Sequence, residues 1–72
     1  MNEFQLFIKV GEKIRRIREG KNISQQELAA LCNFEKSNMS RIESGRTNLT
    51  LKSLLTISEA LNIQIKQLVD FE

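Results

Sequence analysis

The 72-residue chain has no proline, tryptophan, tyrosine or histidine, and only three glycines and one cysteine. Without histidine there is no Cys–His or Ser–His pair, and neither a metal-ligand cluster nor a glycine-rich phosphate loop is present. Enzymatic chemistry, a cofactor and a small-molecule substrate are therefore not expected. A single cysteine forms no internal disulfide and fits a reducing compartment. No apolar run approaches the ~18 residues of a membrane span, and no leader pattern opens the chain. The expectation is a cytoplasmic protein with no membrane partner. Few helix breakers and apolar residues at three- and four-residue steps predict an all-α fold.

The length predicts a single domain over residues 1–72. Such a chain buries only about 60% of its unfolded surface, so its stability is modest unless it oligomerises. The net charge of +2 says little, but its distribution says more. Residues 1–52 hold ten Lys and Arg against six acids, whereas residues 53–72 hold Lys66 against Glu59, Asp70 and Glu72. A polyanion-facing surface would put its cations in the first of these stretches.

Five helices are predicted. The first runs from Asn2 or Glu3 to Glu19, with Asn2 and Gln5 as a capping pair and Gly20 and Asn22 as terminators. Phe4, Phe7, Val10, Ile14 and Ile17 form its apolar stripe, with Phe4 and Phe7 either extending the core or forming a patch of their own. Lys9, Glu12, Lys13 and Arg16 lie on the opposite face, solvated or turned to phosphates. The second helix starts at Ser24, which with Glu27 forms an S-x-x-E capping box; Leu28, Ala29 and Cys32 are its buried stripe, and Asn33 follows in a position suited to positive φ. The third spans Lys36 to Ser44, with Phe34 before it, Met39 and Ile42 inward and Gly45 as its stop. Thr50 caps the fourth, whose core positions are Leu51, Leu54, Ile57 and Leu61, and Asn62 closes it. A short fifth helix is expected near Ile65 to Val69. Cys32 reads as a small packed hydrophobe rather than a redox group.

The third helix departs from scaffold. Its outward residues are Lys36, Ser37, Asn38, Ser40, Arg41 and Ser44. A merely solvated helix favours Glu, Lys and Ala, and this many Ser and Asn residues cost helix propensity. Short polar side chains permit close approach to another surface. Arg41 matches guanine in bidentate fashion, Asn38 matches adenine, and Lys36 reaches guanine acceptors or a phosphate. Taken alone, these residues leave a solvated face and a base-reading face both open.

The segment Ile23-Ser24-Gln25-Gln26-Glu27-Leu28-Ala29, followed at a fixed distance by Met39-Ser40-Arg41-Ile42-Glu43-Ser44-Gly45, resembles the Cro/repressor-type, or xenobiotic response element, helix-turn-helix family of transcriptional regulators. Gly11-Glu12-Lys13-Ile14, Ile17-Arg18-Glu19, Leu54, Ile57, Ala60-Leu61 and Leu68 extend the likeness over residues 10–69 without a gap. The resemblance implies a five-helix bundle of the lambda-repressor-like type, with the second and third helices as the helix-turn-helix. It implies that Lys36, Ser37 and Arg41 read bases, with Asn38 beside them. It implies that Gln25 bonds a phosphate and braces the reading helix, and that Ser44, Arg46, Thr47 and Asn48, with Ser40, hold the backbone. Arg18 and Glu43 match a buried ion pair that is architecture rather than chemistry.

Members of the family bind pseudo-palindromic double-stranded operators as homodimers, which implies a dimer face for which Ile65, Val69 and Phe71 are the apolar residues available. Four departures stand out: Asn33 in place of the turn glycine, Glu35 in place of a Ser or Thr cap, Leu49 in place of proline, and Leu31 at a usually polar position. An acid at Glu35 suits the helix dipole, yet near phosphates it weakens binding or steers it toward cytosine. The function expected is a small repressor or controller that inserts the third helix into the major groove. The alternative is an antitoxin or other interaction module of the same fold, with DNA binding secondary.

Overall fold

The computed structural model describes residues 1–71; Glu72, counted above among the C-terminal acids, lies outside the described residues. Among these the fold is all-helical: α1 (Glu3–Gly20), α2 (Gln25–Cys32), α3 (Lys36–Glu43), α4 (Leu51–Ala60) and a single 3-10 turn (Ile65–Leu68). The expected fifth α-helix is thus this 3-10 turn. Four residues are too few for α-helical bonds to outweigh the cost of a helix nucleus. The segment instead closes i→i+3 bonds, Gln67 N to Gln64 O at 3.0 Å and Val69 N to Lys66 O at 3.2 Å, and is pinned by the buried Leu68. No helix among the described residues is long and apolar enough to cross a membrane.

Helix starts follow side-chain chemistry. Asn2 Oδ1 accepts from Gln5 N at 2.9 Å while Asn2 N donates to Gln5 Oε1 at 3.0 Å. Ser24 Oγ accepts from Glu27 N at 3.0 Å while Ser24 N donates to Glu27 Oε1 at 2.9 Å. The bond from the Ser24 backbone N–H, with that from the Ser24 side chain, holds the Glu27 carboxyl below its ordinary range. This capping contribution is present above the usual carboxylate pKa and is lost as pH falls through the lowered one. Thr50 Oγ1 accepts from Ser53 N at the start of α4.

Helix ends share one device. After each α-helix comes a residue with positive φ: Asn22 at 59°, Asn33 at 59°, Gly45 at 75° and Asn62 at 56°. In each case the following N–H reaches back five residues, as Ile23 N to Arg18 O, Phe34 N to Ala29 O, Arg46 N to Arg41 O and Ile63 N to Ser58 O, at 2.8–3.1 Å. The positive-φ residue itself bonds three residues back, so all four ends are Schellman motifs that satisfy otherwise orphaned carbonyls. Asn33 serves the turn between α2 and α3 that glycine often serves. Asn33→Gly is expected to stabilise the fold by up to ~1 kcal/mol and Asn33→Ala to destabilise it by ~1 kcal/mol, because the left-handed region penalises a Cβ. Urea midpoints of the two variants check the opposite signs.

The core gathers Val10 and Ile14 of α1, Leu28, Ala29 and Cys32 of α2, Met39 and Ile42 of α3, Leu54 and Ile57 of α4, and Leu61 and Leu68 beyond it. Phe34, Ile17, Ile23, Ile63 and Phe71 pack at its edge. Burial also pushes the Cys32 thiol up, away from the reactive thiolate. Two expected core positions are instead on the surface. Leu51 is 79% exposed, because as the first residue of α4 it projects away from the stripe of Leu54, Ile57 and Leu61. Phe4 is 65% exposed: the first turn of α1 extends past the body of the bundle, and only Phe7 is half-buried there.

Candidate nucleic-acid interface

α3 presents its polar side outward and its apolar side inward. Met39 and Ile42 are buried, whereas Lys36, Ser37 and Arg41 are exposed and Asn38 and Ser40 are half-buried. The helix is too short to hold itself in place, so its position depends on what it packs against. α2 crosses it through the turn at Asn33, and α1 lies against its C-terminal end. Gly11 of α1 makes that contact possible: a Cβ there would stand 2.5 Å from Ile42 O and 2.6 Å from Glu43 O.

A buried polar cluster ties the same end of α3 to the rest of the bundle. Arg18 Nε donates to Glu43 Oε2 at 2.7 Å and Arg18 Nη2 donates to Glu43 Oε1 at 2.9 Å, a bidentate pair whose side chains are 9% and 3% exposed. Arg18 Nη1 donates to Ile23 O at 2.9 Å, which fixes the connection between α1 and α2. Gln25 Nε2 donates to Glu43 Oε1 at 3.1 Å. The bonds to Glu43 raise the Arg18 pKa above its ordinary value against the opposing effect of burial, so the guanidinium stays charged. With this cluster satisfied, no buried side-chain polar atom among the described residues lacks a partner.

The cluster forms the floor of an open groove of about 460 Å³ between α1, the N-terminus of α2 and α3. Gln25, Lys36, Ser40 and Ser44 meet there, together with Arg15 and Gln26, to which sequence patterning assigns no role. Beyond α3, Ser44 Oγ donates to Arg41 O and accepts from Arg46 Nε, each at 3.1 Å. Arg46, Thr47 and Asn48 continue from it along a second, more apolar groove walled by Phe4, Phe7 and Ile8. Ser37 and Arg41 stand exposed on the outer face between these two regions.

Arg46 carries a signal that is legible in the chain once the helix ends are compared. At the other three ends the residue after the left-handed one is apolar and folds onto the core: Ile23, Phe34 and Ile63. After Gly45 it is Arg46, exposed, so the same backbone motif presents a guanidinium to the outside.

Two short helices joined by a tight turn, with a braced and outwardly polar second helix, form the geometry that places side chains in a DNA groove. A family model described as the Cro/C1-type HTH DNA-binding domain matches residues 13–72. The chain belongs to this family. As a Cro/C1-type HTH protein it is a DNA-binding regulator of transcription rather than an enzyme. It is 44% identical over 62 residues to the control protein C.BamHI of Bacillus amyloliquefaciens, a match that covers 85% of this chain and 76% of that relative. Its structure is similar to that of the restriction-modification controller protein C.AhdI from Aeromonas hydrophila, with a TM-score of 0.84, 32% identity, and coverage of 86% of this chain and 94% of the other. It is also similar to the biofilm regulator SinR in complex with DNA, with a TM-score of 0.77, 32% identity, and coverage of 85% and 98%.

The residues expected at a subunit interface divide. Ile65 and Val69 are 37% and 48% exposed. Phe71 is half-buried, packs against the core and lies 5.8 Å from Lys9 Nζ over the face of its ring. Its apolar area is therefore largely spent on its own chain.

Proposed function

We propose that this Cro/C1-type HTH chain is a sequence-specific regulator, a single cytoplasmic domain that binds a pseudo-palindromic operator in double-stranded DNA as a homodimer. The observation that carries the reading is the braced, outwardly polar α3 flanked by Gln25 on one side and the outward Arg46 on the other. Lys36, Ser37, Asn38 and Arg41 face base edges in the major groove. Gln25, Ser40, Ser44, Arg46, Thr47 and Asn48 hold phosphates and set the register. The likeness to proteins named as restriction-modification controllers supports a controller of that kind. Ile65 and Val69, with the exposed Leu51 and Leu55, supply the apolar area for a second copy.

Selection of the purified protein on a randomised duplex pool tests this reading. An enriched palindrome with half-sites one helical turn apart, ~34 Å, supports it. A folded protein that enriches no sequence overturns it and favours an interaction module such as an antitoxin.

The division of labour makes its own prediction. Arg41→Ala is expected to cost ~1–3 kcal/mol on the selected operator and to relax preference at one base pair per half-site. Arg46→Ala is expected to weaken all sequences alike and to reduce the slope of log affinity against log salt by about one. Titrations of operator and scrambled duplexes across a salt series separate the two; identical behaviour of both variants would refute the assignment.

A further inference from the structure

Glu35 stands at the N-cap of α3 with φ −72° and ψ 148°, exposed, and its side chain makes no capping hydrogen bond. Among the described residues no ion pair joins it to a cation. The position thus forgoes the cap that Ser, Thr, Asp or Asn would supply, as Ser24 and Thr50 do at α2 and α4. The charged residues exposed along α3 and just beyond it, Lys36, Arg41 and Arg46, are otherwise cations. The other acid of this stretch, Glu43, is buried against Arg18.

A carboxylate held within a Debye length of about 8 Å of phosphates opposes binding to any duplex. That opposition is offset only where a base edge donates to it. Cytosine presents an N4 amino donor alone in the major groove, whereas adenine sets its N7 acceptor beside its donor and guanine and thymine present acceptors. A recognition helix touches base edges with its N-terminal residues, which is where Glu35 lies.

Resting on the DNA-reading function above, we infer that Glu35 is a specificity-determining residue: it accepts a hydrogen bond from a cytosine amino group in each half-site and disfavours duplexes lacking cytosine there. The acid acts by exclusion as much as by attraction, and discrimination is obtained at the expense of overall affinity.

Duplex selection with the wild type, Glu35→Gln and Glu35→Ser tests this. Because Glu35 is exposed and forms no capping bond, Glu35→Gln is expected to melt with the wild type and Glu35→Ser, which can supply the missing cap, to melt at or above it, so neither loses the fold. In the wild type one position per half-site is expected to be cytosine, favoured roughly tenfold. Glu35→Gln is expected to move that position to adenine and Glu35→Ser to lose its preference. All other positions should stay as they were, and affinity for random duplex should rise in both variants. The same base at that position in all three proteins overturns the inference while leaving the DNA-reading function intact. A folded wild type that selects nothing overturns both.

Discussion

Gly45→Ala is expected to destabilise the protein by about 2–5 kcal/mol, the sum of ~1–2 kcal/mol for a side chain in the left-handed region and ~1–3 kcal/mol for overpacking. Gly45 has φ 75°, and a Cβ there would stand 2.6 Å from Ile8 Cα and 2.8 Å from Ile8 N. Those are backbone atoms of α1 and have no rotamer through which to yield. Chains of this size fold with about 4–11 kcal/mol in total, so the loss is a large fraction of the whole.

Gly11→Ala is expected to destabilise as well, although alanine in a helix interior normally gains up to ~1 kcal/mol over glycine. The clash with Ile42 O and Glu43 O outweighs that gain, and α1 must lift from the end of α3. Gly20 is the internal control: a Cβ at this position would meet nothing within 4 Å, so Gly20→Ala is expected to stabilise by up to ~1 kcal/mol. Denaturant midpoints of the three variants read the signs directly. Uniform stabilisation would mean that α1 does not approach α3 closely enough for a Cβ to clash. Operator affinity provides a second readout, because Gly11 and Gly45 seat the end of α3 and the Ser44–Asn48 segment.

Breaking the Arg18–Glu43 pair is expected to cost ~3–5 kcal/mol from either side, because each single change strands a buried charge. Glu43→Ala leaves the Arg18 guanidinium with the Ile23 carbonyl and the largely exposed Glu19 carboxylate at 4.0 Å, and deprives Gln25 Nε2 of its acceptor. Arg18→Ala leaves the Glu43 carboxylate with Gln25 alone. Replacing both residues by apolar ones of similar volume, Arg18→Met with Glu43→Leu, is expected to recover most of the stability, since no charge is then left in the interior. The pair holds α1 to α3, but Glu43 also holds the Gln25 amide at the floor of the groove. The double variant is therefore expected to fold and to bind its operator more weakly than the wild type. A thermodynamic cycle on stability, run beside titrations of operator DNA, tests both halves. If the double variant is no more stable than either single change, the pair is not the source of the loss. If it binds as tightly as the wild type, Gln25 does not depend on Glu43 for its placement.

Much of the fold is legible in local chemistry. The capping pairs at Asn2–Gln5 and Ser24–Glu27, the Thr50 cap and the stops at Asn22, Asn33, Gly45 and Asn62 act over at most five residues, and sequence spacing determines which groups meet. The inward stripe Leu28, Ala29, Cys32, Met39 and Ile42 follows from helical periodicity in the same way. Periodicity misleads where a helix extends beyond its neighbours. Phe4 and Leu51, read as stripe residues, are exposed: Phe4 walls the open groove beside Arg46–Asn48, and Leu51 projects away from the stripe of Leu54, Ile57 and Leu61. It also misleads at the chain's end, where Ile65–Leu68 is apolar enough for a helix but too short for one.

By itself, then, the amino-acid sequence determined to within about a residue where the four α-helices begin and end, which side of each is largely apolar, and that a polar, outward-facing helix follows a tight turn, because caps and periodicities are interactions between near neighbours in the chain. Only the tertiary structure decided how closely α1 approaches the end of α3 at Gly11 and the turn after it at Gly45, that Gln25 shares Glu43 with Arg18, and that Phe71 folds back onto α1. Those outcomes depend on backbone separations and on competition for one carboxylate among groups up to 25 residues apart in the chain, distances over which local spacing carries no information.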